Sequence, residues 1–452
     1  MAYLNRNIDK DLLVWKNTPG HKPLLLRGAR QVGKSSSIRH LGKSFRHYVE
    51  INFEKQPELK DLFKQTTDVR QLTANISKLS GTPIVAGETL LFMDEIQACP
   101  EALKSLWFFK EDYPELHVAA AGSLLEFAIN DMPSFGVGRV RSMFMYPLSF
   151  KEFLHALGKE SWINAIAEAD CDHPLLEALH QELVKTFRIF LLIGGMPASV
   201  MAWIERHDFQ ACADELEDIQ QSYYDDFAKY ARDVEPRLLR RTLQSVVTQS
   251  GGKFMYSKVG EGYRTEDVKR ALSMLVNAGI IKEVRHTSAN GLPLGAGVNE
   301  KFCKYLYLDT GLLLRILELD FGGADDVTEL ILAGTAADLV NKGSLAEMVV
   351  GWELVKSASP RTQHELFYWE NLDKGTTSEV DYIVIRDMKI VPVEVKAGTS
   401  GRMKSLRLFM QKRDIRTAIR TSLENFGTLE FEDEDVRRHI DIIPLYAISK
   451  IK

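Results

Sequence analysis

Residues 28–35 read Gly-Ala-Arg-Gln-Val-Gly-Lys-Ser and satisfy the pattern G-x-x-x-x-G-K-[ST] at every fixed position. That pattern works only between a strand and a helix, because the loop must aim backbone N–H groups and the positive end of a helix at a polyphosphate. Leu24, Leu25 and Leu26 supply a short buried-strand run before it, and Ser36 through Leu41 can begin a helix after it. The expected phosphate cradle is therefore Gly28, Ala29, Arg30, Gln31, Val32, Gly33, Lys34, Ser35 and Ser36. Lys34 would reach the outer phosphates and the Ser35 hydroxyl would hold Mg²⁺. A glycine-rich turn that matches by chance is the competing explanation, and the flanking strand and helix weigh against it. The expected ligand is ATP or GTP.

A P-loop needs an acidic partner at the tip of a neighbouring strand. Thr89-Leu90-Leu91-Phe92-Met93-Asp94-Glu95 provides one, since its apolar run reads as a strand buried on both faces. Asp94 would reach the Mg²⁺ through water, and Glu95 would polarise the attacking water. Further strands are expected at Tyr48–Phe53, His117–Ala121 and Val140–Tyr146, alternating with helical stretches in a mostly parallel α/β layer. Gly122-Ser123 closes one of these strands. Ser123 is either a γ-phosphate sensor or a simple turn serine.

The 452 residues suggest about two to four domains. A formal charge of −5 argues against a uniformly basic nucleic-acid coat, so DNA contact would need local patches. Cys99, Cys171, Cys212 and Cys303 have no CxxC spacing, which indicates neither a zinc site nor a disulfide framework and fits a reducing cytoplasm. The N-terminus is too charged for a signal peptide. The longest uncharged stretch, Ile189–Ile204, is broken by Gly194-Gly195 and Pro197 and is shorter than the roughly 20 residues of a spanning helix, so no membrane segment is expected.

The stretches GARQVGKSS, LLFMDEIQ, AAGSLLEF and GRVRSMFMYPLSFKEFL together resemble a prokaryotic family of AAA-type (AAA+) ATPases. The resemblance implies ATP rather than GTP. It also implies that Arg139 contacts nucleotide phosphates or a neighbouring subunit's site, as an arginine acting in trans would in a homo-oligomer. Arg141, two residues on, could serve instead. Residues from about Ser149 to Tyr230, after Pro147, read as a mostly helical lid.

From Pro236 to about Leu317 two helical stretches flank Gly251-Gly252. The second places Val268, Leu272, Leu275 and Val276 on one face and ends at Gly279. Strands at Ile280–Val284 and Tyr305–Leu308 complete a winged-helix order, and this segment resembles the one in the same ATPase family. Between Arg237 and Arg270 eight Lys/Arg stand against three Asp/Glu, a local excess that fits phosphate contact. A winged helix used only for packing explains it equally well.

The last region carries a second constellation. Alternation puts Glu379 and Asp381 on one strand face and Glu394 and Lys396 on another. If Asp387-Met388 is a hairpin tip, Asp381 lies across from Glu394 and Glu379 across from Lys396. Opposed carboxylates destabilise a sheet unless a cation sits between them, and oxygen ligands suit Mg²⁺ or Mn²⁺. Asp followed by Glu-x-Lys is the pattern of PD-(D/E)xK nucleases, and YWENLDKGTTSEVDYIVIRDMKIVPVEVKAG resembles the nuclease-like domain that accompanies this ATPase family. There Asp381, Glu394 and Lys396 would be catalytic, with Lys396 stabilising charge or orienting water. Glu347 is either an additional metal ligand on a helix or, with Ser344, a capping box. Pro392 leaves one side of its strand unpaired or bulged. Seven basic residues against one Asp from Arg402 to Arg420 suggest a phosphate-facing helix.

The resulting expectation is an α/β chain of four parts. A P-loop AAA+ core spans 1–148, a helical lid 149–234, a winged-helix domain 235–325 and an α/β PD-(D/E)xK nuclease-like domain 335–452. It would bind ATP with Mg²⁺, hydrolyse it, and act on DNA, with metal-dependent cleavage as the further expectation. A non-catalytic ATP-dependent signalling switch, or a C-terminal domain serving only oligomer contacts, are the alternatives.

Overall fold

The computed structural model describes residues 3–122, 125–130, 138–228, 234–317, 342–373, 378–398, 403–433 and 435–451. It divides into two compact units: Met1–Pro147 with Asn277–Gly279 and Ser359–Gln363, and the remainder from Leu148 onward.

The first unit is a five-stranded parallel sheet. Its strands are β1 (Leu24–Arg27), β2 (His47–Asn52), β3 (Thr89–Asp94), β4 (His117–Ala121) and β5 (Arg141–Phe144), in the spatial order β2-β3-β4-β1-β5. Every residue of β3 and β4 is buried, which is why these strands read as unbroken apolar runs rather than alternating ones. Leu25, Leu91, Met93 and Val118 form a core with Leu103 and Phe109 of the helix Pro100–Asp112. This order places the tips of β1 and β3 on either side of β4. The P-loop after β1 and Asp94 at the end of β3 therefore share the carboxyl edge of the sheet, where parallel α/β sheets hold ligands.

The second unit begins with five helices, Phe150–Ala156, Glu160–Glu168, Glu177–Ile193, Pro197–Arg206 and Phe209–Phe227, which fill the stretch expected to be helical. Helices Pro236–Thr248 and Thr265–Asn277 follow. Then come β6 (Ile281–Thr287) and β7 (Val298–Tyr307), an antiparallel pair, so the helix–helix–hairpin order is present.

The hairpin is not a free-standing wing. The outer edge of β6 pairs in parallel with β8 (Leu366–Glu370), and β8 pairs with β9 (Glu379–Val380), giving the sheet β7-β6-β8-β9. Since most of β6 is buried, its edge must be covered by another strand. The residues expected as lid, winged-helix and nuclease-like parts thus pack as one unit.

The remaining sheet runs β10-β11-β12-β14-β13. It is built from β10 (Tyr382–Arg386), β11 (Lys389–Val395), β12 (Thr417–Ser422), β13 (Gly427–Asp433) and β14 (Val436–Pro444). The β10–β11 hairpin turns at Asp387-Met388, both at positive φ, as a two-residue connection requires. Pro392 lies just before β12 joins β11 at Val393, so its missing N–H removes no rung on that side.

Asp309 ties two parts of this unit together. It is buried, accepts from Gly195 N at 2.7 Å, and caps the helix Thr310–Ile316 through Leu312 N at 3.2 Å. A Cβ on Gly195 would meet Leu148 O at 2.3 Å, so the chain can pass here only as glycine. Asp309→Ala should destabilise this unit by about 2–4 kcal/mol, because two buried N–H groups lose their acceptor. A lowered midpoint in urea unfolding, with a smaller loss for Asp309→Asn, is the expected result.

Candidate functional site

The P-loop owes its path to three residues at positive φ: Gly28 (143°), Gln31 (63°) and Gly33 (101°). Gly28 is obligatory, since a Cβ there would lie 2.1 Å from Met145 O. The helix Lys34–Gly42 starts directly from this loop, so its free N–H groups face the cradle. Lys34 is buried and folds back on the loop, donating to Gly28 O at 2.8 Å and Ala29 O at 2.7 Å. Burial lowers its pKa to about 8, against the raising influence of Glu95 and Asp94. Ser35 Oγ donates to Asp94 Oδ1 at 2.9 Å, and Asn52 Nδ2 donates to Asp94 Oδ2 at 3.2 Å. Burial also raises the Asp94 pKa.

These contacts fit a nucleotide with Mg²⁺. Lys34 is held only through neutral carbonyls that a phosphate outcompetes, and Ser35 and Asp94 present two oxygens side by side. Glu95 follows Asp94 in the left-handed region at φ 48° and accepts from Gln97 Nε2 at 2.7 Å, which fixes its carboxylate next to the cradle. Arg39 of the P-loop helix bonds Glu50 at 2.7 Å and lies 3.6 Å from Asp94.

Arg139 stands on the surface, paired with Glu111 at 2.6 Å and lying over the half-exposed Trp107 ring. Arg141 is exposed as well. Ser123 lies outside the described residues. Sequence reasoning missed Arg6. It is buried, donates to Val32 O at 2.8 Å and Tyr146 O at 2.7 Å, and so braces the loop from outside. An arginine ahead of an amphipathic helix gives no local sign of such a role.

The second constellation lies in the other unit. The β10–β11 ladder has the expected register, with Tyr382 opposite Val393, and ends there. Beyond it the strand breaks at Asp381, and Glu379-Val380 turn away to pair with Trp369-Glu370 of β8. Neither expected opposition, Asp381 with Glu394 or Glu379 with Lys396, is therefore realised as a ladder pair, because the ladder ends at Tyr382–Val393 and β9 serves the other sheet. Instead Glu347, Glu379 and Asp381 bring carboxylate oxygens within 4.8 Å of one another.

Glu347 belongs to the helix Lys342–Ser357. Ser344 lies inside that helix, so the capping-box alternative fails. Tyr382 OH donates to Glu347 O at 2.7 Å, and a Cβ on Gly351 would strike Tyr382 OH at 2.4 Å, so this helix rests closely on β10. Asp381 Oδ2 accepts from Val395 N at 2.7 Å. Lys396 bonds one oxygen of Glu394, while Glu394 Oε2 is buried and finds no hydrogen-bond partner among the described residues.

Into this cluster comes Lys304 of β7. Its side chain has 0% exposure, and its ammonium bonds Glu347 at 2.8 Å and Glu379. Burial raises the pKa of all four acids, Glu347 to about 8 and Glu394 to about 7. Lys304 opposes the rise at Glu347, Glu379 and Asp381, and Lys396 opposes it at Asp381 and Glu394. Sequence reasoning placed Glu379 on the strand face but not among the ligands, and it missed Lys304. The available signal was one lysine inside the apolar run Cys303–Leu308.

The basic stretches are more internally engaged than their composition suggested. Lys269 pairs with Glu266 at 3.0 Å and Arg270 with Asp267 at 3.7 Å. Near the carboxylate cluster, Arg407 covers the Phe431 ring, Lys412 bonds Asn371 and Asp373, Arg413 donates to Ser288 O, and Arg420 is buried on Glu424. Of the basic run expected to face phosphate, Lys412, Arg413 and Arg420 are thus engaged within the fold, while Lys404, Arg407 and Arg416 are exposed. Arg402 lies outside the described residues.

Residues 20–154 match a family model described as an AAA domain. Residues 184–321 and 342–448 match two domains of unknown function (DUF8612 and DUF4143). No curated protein matches the chain. Among solved structures, the Walker-type ATPase PABY2304 of Pyrococcus abyssi is similar at 16% identity and TM-score 0.45, over 70% of this chain and 96% of that one. The ORC1 protein of Aeropyrum pernix, solved in complex with DNA, is similar at 12% identity and TM-score 0.29, over 70% and 93%. RuvB of Thermotoga maritima is similar at 14% identity and TM-score 0.28, over 65% and 92%. Scores this low carry no assignment. The family match, the parallel sheet and the P-loop make the first unit an AAA-type P-loop ATPase core. No described helix is long and apolar enough to cross a membrane.

Two outcomes are expected of this site. Arg6→Ala should weaken ATP binding about tenfold or more by releasing the P-loop carbonyl of Val32, and that of Tyr146, from a charged donor, measured by titration with a fluorescent ATP analogue. The depressed Lys34 pKa gives a pH signature. Below about 8 the free protein already carries the ammonium; above it the amine is neutral and must regain a proton to meet phosphate. Calorimetry in buffers of different ionisation enthalpy should show proton uptake on ATP binding near pH 9 but little near pH 7, and Lys34→Arg should abolish the difference.

Proposed function

We propose that this chain is an ATP-hydrolysing AAA-type switch whose nucleotide state governs a nucleic-acid-directed arm, the unit that carries the Glu347, Glu379, Asp381 and Glu394 cluster. The observation that carries the ATPase half is the buried Lys34 held on loop carbonyls beside the Ser35–Asp94 hydrogen bond. In this reading Gly28 to Ser36 bind the phosphates, Ser35 and Asp94 hold Mg²⁺, which supplies charge neutralisation when bound, and Glu95 orients the attacking water. Ser123 is assigned to γ-phosphate sensing. Arg139, exposed over Trp107, is assigned to a neighbouring copy's nucleotide in a homo-oligomer.

For the arm, the reading is a PD-(D/E)xK-type site that uses Mg²⁺ or Mn²⁺ on DNA, presented by a winged-helix-like segment. Its support is the convergence of Glu347, Glu379 and Asp381, the electrostatic contact of Glu394 with Asp381, the Lys396–Glu394 pair, and the buried oxygen of Glu394 that has no donor among the described residues. Asp381 and Glu394 would hold the cation, which lends Lewis acidity at the scissile phosphate when bound, and Lys396 would stabilise developing charge. A second reading has a specific observation behind it. Lys304 satisfies two of these carboxylates from within, which favours an arm that binds nucleic acid or a protein partner without cutting.

Lys34→Ala should abolish ATP turnover, and unchanged turnover would overturn the ATPase reading. Metal-dependent cleavage should be sought on single-stranded, duplex and branched DNA, with and without ATP. Loss of cleavage in Glu394→Ala with ATPase retained supports the nuclease reading. DNA binding without cleavage in the wild type supports the non-cutting arm.

A further inference from the structure

We propose that Lys304 is a tethered cation that occupies the divalent-metal position of the carboxylate cluster, so that metal binds only when the Lys304 ammonium gives way. The inference rests on the reading of this cluster as a metal site and adds what controls its loading.

Three observations meet here. First, the oxygens of Glu347, Glu379 and Asp381 lie within 4.8 Å of one another, a spacing that two metal–oxygen bonds of about 2.1–2.4 Å can bridge. Second, a cation is already seated among them. The Lys304 ammonium has no exposed surface, bonds Glu347 at 2.8 Å and Glu379, and interacts electrostatically with Asp381. Third, the lysines do not satisfy the acids. Four carboxyl groups face Lys304 and Lys396, and Glu394, only 5% exposed, keeps Oε2 without a donor among the described residues. Glu394 follows the last ladder pair, Tyr382–Val393, and its carboxyl interacts electrostatically with Asp381 and Glu379. A cluster built only to bury one lysine would need two acids. Four acids stand against Lys304 and Lys396, more carboxylate than the burial of Lys304 requires.

The two cations exclude one another. The Lys304 ammonium bonds both Glu347 and Glu379, so a metal bridging those two carboxylates would take its place, and the two charges repel. Lys304 lies on β7, whereas Glu347 and Asp381 lie on the closely packed Lys342–Ser357 helix and the start of β10. A shift of β7 against those elements would therefore gate the site.

The test is Mn²⁺ titration of the nucleotide-free full chain, by calorimetry and by the loss of the free-ion paramagnetic resonance signal. Lys304→Met should bind Mn²⁺ at least about tenfold more tightly than the wild type. Its thermal midpoint, reduced in chelator because Glu347 and Glu379 lose their counter-charge, should rise further on adding Mn²⁺ than the wild type's does. Equal or weaker Mn²⁺ binding by Lys304→Met overturns the proposal. If that variant does not fold in chelator, the Glu379→Gln protein is compared with the Lys304→Met/Glu379→Gln double variant, whose charge is rebalanced. Tighter binding by the double variant supports the tethered cation, and equal binding overturns it. An Asp381→Asn control separates the two levels. Wild-type binding lost in Asp381→Asn but unaffected by Lys304→Met sinks the lysine gate and leaves the metal site standing. With Asp94→Asn in every protein to silence the P-loop cation site, binding that survives Asp381→Asn, or its absence in every variant, sinks both.

Discussion

The ammonium of Lys304 has no access to water, and a buried charge persists only where opposite charge meets it. Glu347 arrives on a helix some forty residues downstream and Glu379 on a strand roughly seventy-five residues away, so one lysine obliges three elements to converge. The same convergence explains why the hairpin β6–β7 is built into a four-stranded sheet with β8 and β9 instead of projecting as a wing. Removing Lys304 leaves Glu347 and Glu379 buried without their counter-charge, typically a loss of about 3–5 kcal/mol, so the contact also holds this unit together.

The P-loop obeys the same rule with weaker partners. Lys34 is also buried, but it rests on two carbonyl oxygens and feels Asp94 and Glu95 only through space. Neutral acceptors satisfy the geometry of an ammonium without cancelling its charge, which is why burial depresses this lysine while the carboxylates raise Lys304. A polyphosphate offers Lys34 what the loop does not. The two lysines are thus unequal: one awaits an anion, and the other already has two.

What could be read from the sequence follows from the range of each interaction. The P-loop, Asp94 and the β10–β11 hairpin are local, fixed by glycines at positive φ, an all-apolar strand, and alternation about a two-residue turn. The helical stretch from Phe150 to Phe227 was legible for the same reason. Arg6, Lys304 and the β6–β8 pairing were not, because each is decided by chain distant in sequence. Composition misled where it was read as function. Four cations of the basic run ending at Arg420 meet Asp373, Ser288, Glu424 and an aromatic ring, partners that no count of charges reveals.

The cage and its lysine differ in how far they can move. Tyr382 is anchored to Glu347 O and slotted over Gly351, and Asp381 is fixed by Val395 N, so two ligand carboxylates sit on backbone that repacks only at the cost of core contacts. Their oxygens already lie close to the separation a divalent ion imposes, so loading requires little of the acids. The adjustment falls on the four-carbon stem of Lys304 and on the strand that carries it. A preformed cage with a movable internal cation is more readily switched than one that must assemble its ligands, because the switch has to overcome a single pair of charge-assisted bonds and not the packing of a helix.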